Sequence, residues 1–243
     1  MKLGLIGYGK LGKEIERVAV ERGWEIAFKQ NSNSTTHDIQ GSLVDVVIHA
    51  ATPATLVQDV RLWAELKKPI VIGTTGWYNE IAEVKSLAEK NDIGIIYASN
   101  FSIGVQIFFR LLKQAGTMID KFPDYDAFIR EAHHKEKLDA PSGTALQAGA
   151  ILLDSIKRKK ELLTQQTSGK IRPEQLQVSS VRAGAIVGEH AVTIDSPADA
   201  IEIRHTAKNR GGFAAGALLA AEWIQGKRGL FTMEDVLADL FKG

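Results

Sequence analysis

Short apolar runs alternate with amphipathic stretches through the first hundred residues. Residues 2–6 form one run, and residues 10–22 place Leu11, Ile15, Val18 and Ala19 on one helical face. Residues 24–30, 44–50, 69–72 and 93–98 repeat the strand pattern, with helical stretches at 54–66 and 78–91 between them. Strands alternating with helices predict a parallel, doubly wound sheet. Loops that follow strand C-termini line the ligand crevice of such a sheet. Four polar loops fall at that edge: residues 31–36, Ala51-Thr52-Pro53, Gly73-Thr74-Thr75-Gly76 and Ser99-Asn100-Phe101.

After Phe101 the rhythm changes. Residues 103–119 read as a long helix, 125–132 as a strand and 145–156 as an apolar helix. Residues 155–170 are polar and read as a mobile loop. Strand-like runs at 176–181, 190–194 and 200–206 then follow in succession, which predicts a mixed or antiparallel sheet in an α+β second domain. Residues 212–225 and 233–240 read as closing helices.

The 243 residues suffice for one large domain or two small ones. A net charge of +1 removes any global argument for nucleic acid or an anionic membrane. Cysteine is absent, which excludes disulfides, thiolate metal sites and dehydrogenases that work through a thioester. No run approaches the ~20 apolar residues of a membrane span, so a cytoplasmic protein is expected.

Gly7-Tyr8-Gly9-Lys10-Leu11-Gly12 follows a strand and opens a helix, the setting required of a dinucleotide-binding turn. Gly7 permits the tight turn, Gly9 lets backbone approach a pyrophosphate, and Gly12 allows helix and strand to pack closely. Selectivity for NADH often comes from an acidic residue at the end of the second strand. Here the segment is Phe28-Lys29-Gln30-Asn31-Ser32, without a carboxylate. Lys29 can attract a 2′-phosphate, so NADPH is expected to serve at least as well as NADH. The alternative is a solvated surface lysine.

The richest stretch runs from Glu131 to Ala145, Glu-Ala-His-His-Lys-Glu-Lys-Leu-Asp-Ala-Pro-Ser-Gly-Thr-Ala. His133 and His134 follow a strand and precede a loop, and adjacent side chains at a strand end point to opposite faces and so take different roles. Lys137 adds a donor and a proton source. Ser142 or Thr144 can cap the following helix, and amides around Gly143 can hold an anion. Together these describe a pocket for a carboxylate-bearing molecule. Each component also has a plainer reading, as surface histidines, a solvated charged loop or a simple helix start. A metal site is not expected: the adjacent histidines lack the spacing of a helical pair and no cysteine is present.

These residues resemble the 4-hydroxy-tetrahydrodipicolinate reductase (dihydrodipicolinate reductase) family of lysine and diaminopimelate synthesis. The glycine turn, Gly73 to Gly76, Ala98-Ser99-Asn100-Phe101-Ser102, the Glu131 to Ala145 stretch, Arg204 to Arg210 with Phe213, and Gly229-Leu230-Phe231 carry the resemblance. It implies NADPH- or NADH-dependent reduction of a cyclic, unsaturated dicarboxylate to tetrahydrodipicolinate with loss of water. It implies a nicotinamide-side loop at Gly73, Thr74 and Thr75, with Ala98, Ser99, Asn100 and Phe101 beside it. His133 matches an acid/base histidine and Lys137 a proton-donating lysine, while His134, Gly143 and Thr144 match substrate-binding positions. The implied fold is a Rossmann-like dinucleotide-binding domain, residues 1–101 and 212–243, plus an α+β substrate and oligomerisation domain with a mixed sheet, residues 102–211. A homotetramer associating through that second sheet is implied as well.

Two departures touch the cofactor. The chain is short between the second strand and Val44, and the acidic ribose ligand of some members is missing. Two other readings compete: a different two-domain NAD(P)-dependent dehydrogenase, and a non-catalytic protein that senses a dinucleotide. The second would have no need of His133, Lys137, Gly143 and Thr144 together.

Overall fold

The computed structural model describes residues 1–31, 44–165 and 168–242. The polar loop read over residues 31–36 lies, beyond Asn31, outside them. The chain divides into two compact units, Met1–Ile103 with Arg210–Gly243, and Gly104–Asn209.

The first unit begins with β1 (Lys2–Ile6), α1 (Lys10–Glu21) and β2 (Glu25–Gln30). It continues through β3 (Val46–His49), α2 (Leu56–Glu65), β4 (Ile70–Ile72), α3 (Ile81–Asn91) and β5 (Gly94–Tyr97). After the second unit it resumes with α6 (Gly211–Trp223), β11 (Gly229–Thr232) and α7 (Met233–Leu240). The six strands pair in parallel in the order β11-β5-β4-β3-β1-β2. The inner strands β1, β3, β4 and β5 are apolar on both sides because helices cover both faces. Leu3, Leu5 and Ile48 pack with Ile15, Ala19 and Leu218 on one face. Val47, Ile70 and Ile95 pack with Val60, Trp63 and Val84 on the other.

Sequence pattern did not reveal β11 as a strand. Its four residues carry only two large apolar side chains and follow Lys227 and Arg228. Its parallel pairing with β5 places it at the sheet edge, half-buried throughout.

The second unit contains α4 (Ile103–Ile119), whose first residue belongs to the first unit, then β6 (Asp126–His133) and α5 (Gly143–Ser155). It ends with β7 (Glu161–Leu163), β8 (Gln175–Arg182), β9 (Glu189–Asp195) and β10 (Ala200–Thr206). The sheet order is β10-β9-β6-β8-β7, with β7, β8 and β6 parallel and β6, β9 and β10 antiparallel. One sheet face packs Ile129, Leu176, Val178 and Val192 against Phe109, Leu112, Ala148 and Leu152 of α4 and α5.

The loop expected over residues 155–170 is interrupted by β7, a correction to the sequence reading. Leu162 of β7 lies against Gly149 of α5, where an added Cβ would meet its Cδ2 at 2.7 Å. The buried Lys159 ammonium pairs with Asp126 Oδ1 at 2.5 Å and donates to the Gln175 carbonyl at 2.7 Å. A three-residue strand with two leucines is too short to show a period of two. Among the described residues, no helix is long and apolar enough to cross a membrane.

Candidate active site

In the first unit, the chain leaves β1 for β2 on one side and returns to β3 on the other. The ends of β1 and β3 therefore flank the switch point where doubly wound sheets bind ligands. Gly7 has φ +92°, and a Cβ there would lie 2.3 Å from the Ala50 carbonyl oxygen. A Cβ on Gly12 would lie 2.2 Å from the Gly7 carbonyl oxygen. Gly9 differs: nothing lies within 4 Å of its Cβ position, so its face is open. Gly9 is also the N-cap of α1, which has neither a side-chain cap nor an acidic residue in its first turn. The partial positive charge of that helix end, about +0.5, is left for an anion.

A cavity beside this turn is lined by Leu11, Ile48, Gly73, Ala98, Asn100 and Phe213, and Ser99 and Phe101 border it too. Asn100 and Phe101 are buried, Thr74 is buried, and Thr75, Ser99 and Lys10 are exposed. Asn100 Oδ1 accepts from the Ser102 amide at 2.9 Å, which fixes the turn after β5. A Cβ on Gly216 of α6 would sit 1.7 Å from the Phe101 carbonyl oxygen, so this helix can approach that turn only as glycine. An open glycine face, an uncapped helix end and an apolar slot fit the pyrophosphate and ring of a nicotinamide dinucleotide.

Lys29 is exposed and its Nζ donates to Glu16 Oε1 at 2.9 Å. Tyr8 also donates its hydroxyl to Glu16, and the Lys29 ammonium stands 4.9 Å from the Tyr8 ring centroid. The sequence reading named Tyr8 and Lys29 but missed Glu16, which reaches them from α1.

In the second unit, β6 alternates so that Ala127, Ile129, Glu131 and His133 share the buried side. Register then assembles the site: His133 pairs with Arg182 of β8, and Glu131 with His190 of β9. Arg182 grips Glu131 with two hydrogen bonds, of 2.9 and 2.7 Å. His133 Nδ1 lies 2.5 Å from Glu131 Oε2. A carboxylate only accepts, so Nδ1 carries the proton and Nε2 is left as an acceptor. Burial pushes the Glu131 carboxyl up, but Arg182, Ser180 and His133 outweigh it and hold the pKa at about 2. Burial lowers the His133 pKa, against the opposing pull of Glu131.

A Cβ at Gly188 would meet His133 Nε2 at 3.0 Å, so the residue before β9 keeps this nitrogen accessible. Ser142 caps α5, accepting from the Ala145 amide at 3.2 Å. The Ser142 amide donates to Glu131 Oε1 at 3.2 Å, and its hydroxyl lies 3.0 Å from His190 Nε2. Capping thus ties the start of α5, with Gly143 exposed and Thr144 half-buried, to the histidine network. Gly143 faces open space. Lys137 is half-buried, with its Nζ 2.7 Å from Asp139 Oδ1. His134 is half-buried just past β6, where its amide donates to the Ile186 carbonyl at 2.7 Å.

Glu131, His133 and His190 bring their donor atoms within 4.8 Å of one another, a grouping that can hold a metal ion. Both Glu131 oxygens already accept from Arg182, however, and a cation there would face that fixed guanidinium. Glu131, Arg182, Gly188 and His190 were not singled out from sequence.

Family models described as "Dihydrodipicolinate reductase, N-terminus" and "Dihydrodipicolinate reductase, C-terminus" match residues 1–101 and 104–237. A 4-hydroxy-tetrahydrodipicolinate reductase of Christiangramia forsetii is 38% identical over 242 residues, covering 100% of both chains. A protein of the same name from Buchnera aphidicola is 43% identical over 205 residues, covering 80% of this chain and 73% of that one. A solved dipicolinate-bound dihydrodipicolinate reductase from Paenisporosarcina sp. superposes with TM-score 0.77 at 22% identity, over 97% of this chain and 98% of that one. A C. glutamicum DAP dehydrogenase in complex with DAP shares the general fold, with TM-score 0.53 and 12% identity over 96% of this chain and 92% of that one. The chain belongs to the dihydrodipicolinate reductase family, NAD(P)H-dependent oxidoreductases of lysine and diaminopimelate biosynthesis.

Proposed function

We infer that the two units divide the reduction of 4-hydroxy-tetrahydrodipicolinate between them. The first holds the dinucleotide at Gly7, Gly9, Gly12 and the loops at residues 73–76 and 98–101. The second holds the diacid and protonates it. The bound dinucleotide supplies a hydride. Loss of the 4-hydroxyl as water leaves a conjugated imine that accepts hydride at its far carbon. The enamine pair that results takes a proton at the neighbouring carbon, giving tetrahydrodipicolinate.

Lys137 supplies that proton from its ammonium, and the half-buried setting keeps the Nζ near a fixed position. His133 stands beside the substrate ring with Nε2 presented across Gly188 and its other nitrogen locked by Glu131. His134, Gly143, Thr144 and the α5 amides offset the two carboxylates, aided by the positive helix end. The observation that carries the reading is the His133–Glu131–Ser142 network, which couples the start of α5 to the strand that ends at His133, four residues before Lys137.

NADPH serves at least as well as NADH in this reading, because no carboxylate ends β2 and Lys29 stands there instead. Glu16 partly neutralises Lys29 and moderates that preference. The protein acts in the cytoplasm as a homotetramer. Association uses the sheet face opposite α4 and α5, which exposes Arg130, Ser179 and Val181.

The test is oxidation of NADPH in the presence of the condensation product of pyruvate and aspartate semialdehyde. Wild type should turn over and Lys137→Ala should lose most of kcat, while both bind NADPH alike. Normal turnover of Lys137→Ala at saturation, with NADPH binding lost, overturns the assignment.

A further inference from the structure

The first unit holds a buried polar chain that ends on Thr74 of the residue 73–76 loop and begins with two residues, Asp59 and His49, that the mechanism above does not use. His49 ends β3 and is 0% exposed. Its Nε2 lies 3.1 Å from Asp59 Oδ2, in the first turn of α2, and its Nδ1 lies 2.7 Å from Thr74 Oγ1. Asp59 and Thr74 are buried too, at 7% and 4% exposure. The apolar cluster on one face of this sheet includes Ile72, which pairs with His49 across the strands, and Trp77, which bonds the Thr74 carbonyl.

A carboxylate only accepts, so it fixes the proton on Nε2 and makes Nδ1 an acceptor. The Thr74 hydroxyl is held between that nitrogen, at 2.7 Å, and the Ala51 and His49 carbonyls, at 3.2 and 3.4 Å. One backbone bond and one from an indole act in the same direction. The Gly73 amide donates to the His49 carbonyl at 2.8 Å, and Trp77 Nε1 donates to the Thr74 carbonyl at 2.8 Å. One residue of β3 therefore grips the loop after β4 at two successive positions. An apolar trio of similar volume would stabilise such a site as well or better. What the polar chain adds is direction, a single rotamer for Thr74 and one course for residues 73–76.

We propose that His49, oriented by Asp59, is the positioning residue that sets the residue 73–76 loop for the nicotinamide end of the dinucleotide. The proposal rests on the reading that this loop serves the nicotinamide. Placement matters there because a displacement of about 1 Å in a reacting group can cost 10²-fold in rate.

The experiment compares binding of NADPH with binding of 2′,5′-ADP, which has the adenosine end but no nicotinamide. His49→Leu and Thr74→Val should each weaken NADPH about tenfold, the scale of one buried hydrogen bond, and leave 2′,5′-ADP within about twofold. The double variant should be no weaker than either single one. His49→Asn keeps an oxygen acceptor near the Nδ1 position and Thr74→Ser keeps the hydroxyl; both should recover most of the loss. Asp59→Asn should weaken NADPH in the same sense, and it provides the test if His49→Leu does not fold. Equal loss of both ligands in His49→Leu and Asp59→Asn makes the chain merely structural and overturns the proposal. An effect of Thr74→Val with none from His49→Leu leaves the loop reading intact and removes His49 from it. No effect of Thr74→Val removes the loop reading and the proposal together.

Discussion

In the first unit the crevice is walled by backbone: Gly7 against Ala50, Gly12 against Gly7, and the bare helix end at Gly9. In the second unit the cluster is made of side chains, with Glu131, His133, Arg182, Ser142 and His190 bonded through one another. A backbone site is sensitive to any added Cβ and indifferent to pH. A side-chain site depends on protonation and on every partner being present.

The largest effect expected from this contrast is kinetic. Lys137→Ala should lower kcat by ~10²–10⁴ with NADPH affinity nearly unchanged, measured by steady-state turnover and direct titration. A comparable loss of NADPH affinity would erase the separation of roles.

Glu131→Gln comes next. It leaves the Arg182 guanidinium without its buried counter-charge and should cost about 3 kcal/mol of stability in a urea titration. NADPH affinity should hold, so a drop there would join what the comparison keeps apart.

Glycine substitutions test the other side. Gly7→Ala forces a Cβ to 2.3 Å from Ala50 at positive φ and should cost about 2 kcal/mol or more. Gly9→Ala has room, so Tm should stay put while NADPH affinity falls by about tenfold. Equal Tm losses in both variants would break the distinction between the close and the open glycine.

His190 adds to the pH dependence of the second unit, in the same sense as His133 and His205, whose pKa values burial also lowers. Burial first, then the charge of His133, pushes the His190 pKa down from 6.5 to about 4. Between those values the unfolded chain binds a proton that the folded chain refuses, so stability is full above pH ~6.5 and falls toward pH 4. His190→Gln should make the fall in thermal stability between pH 6.5 and 4 shallower, removing a share on the order of 3 kcal/mol and leaving that of His133 and His205. An unchanged slope would mean that the loss arises elsewhere.

The smallest effect concerns the adenosine end. Lys29→Ala should lower NADPH preference over NADH by about fivefold or less, and Glu16→Gln should raise it, because exposed ion pairs are weak. An unchanged ratio in both would return Lys29 to an ordinary surface residue.

Much of the first sheet was legible because its strands are apolar runs bounded by glycine and proline, and periodicity reports burial directly. The cap of α5 was readable only as Ser142 or Thr144; the structure selects Ser142 and starts the helix at Gly143, two residues before the expected Ala145. The partners of His133 were not readable, since Arg182 and His190 reach it only through strand register across about fifty residues of sequence. One signal was available. Residues 127, 129, 131 and 133 read Ala-Ile-Glu-His, and a carboxylate in phase with a buried alternation demands a cation nearby. His49, at the end of Val-Val-Ile-His, was the same kind of signal in β3. Strands β7 and β11 escaped because, unlike the equally short but largely buried β3, β4 and β5, they lie at sheet edges and are at most half-buried, so no continuous apolar run marks them.

Strand β11 carries a consequence for synthesis. The second unit is one unbroken stretch, whereas the first needs α6, β11 and α7 from the end of the chain. A ribosome therefore releases everything required for the mixed sheet while β5 still presents an unpaired edge. Until residues 229–232 emerge, that edge is a ready template for a stranger's strand, and the nascent protein must be shielded there or outrun the encounter.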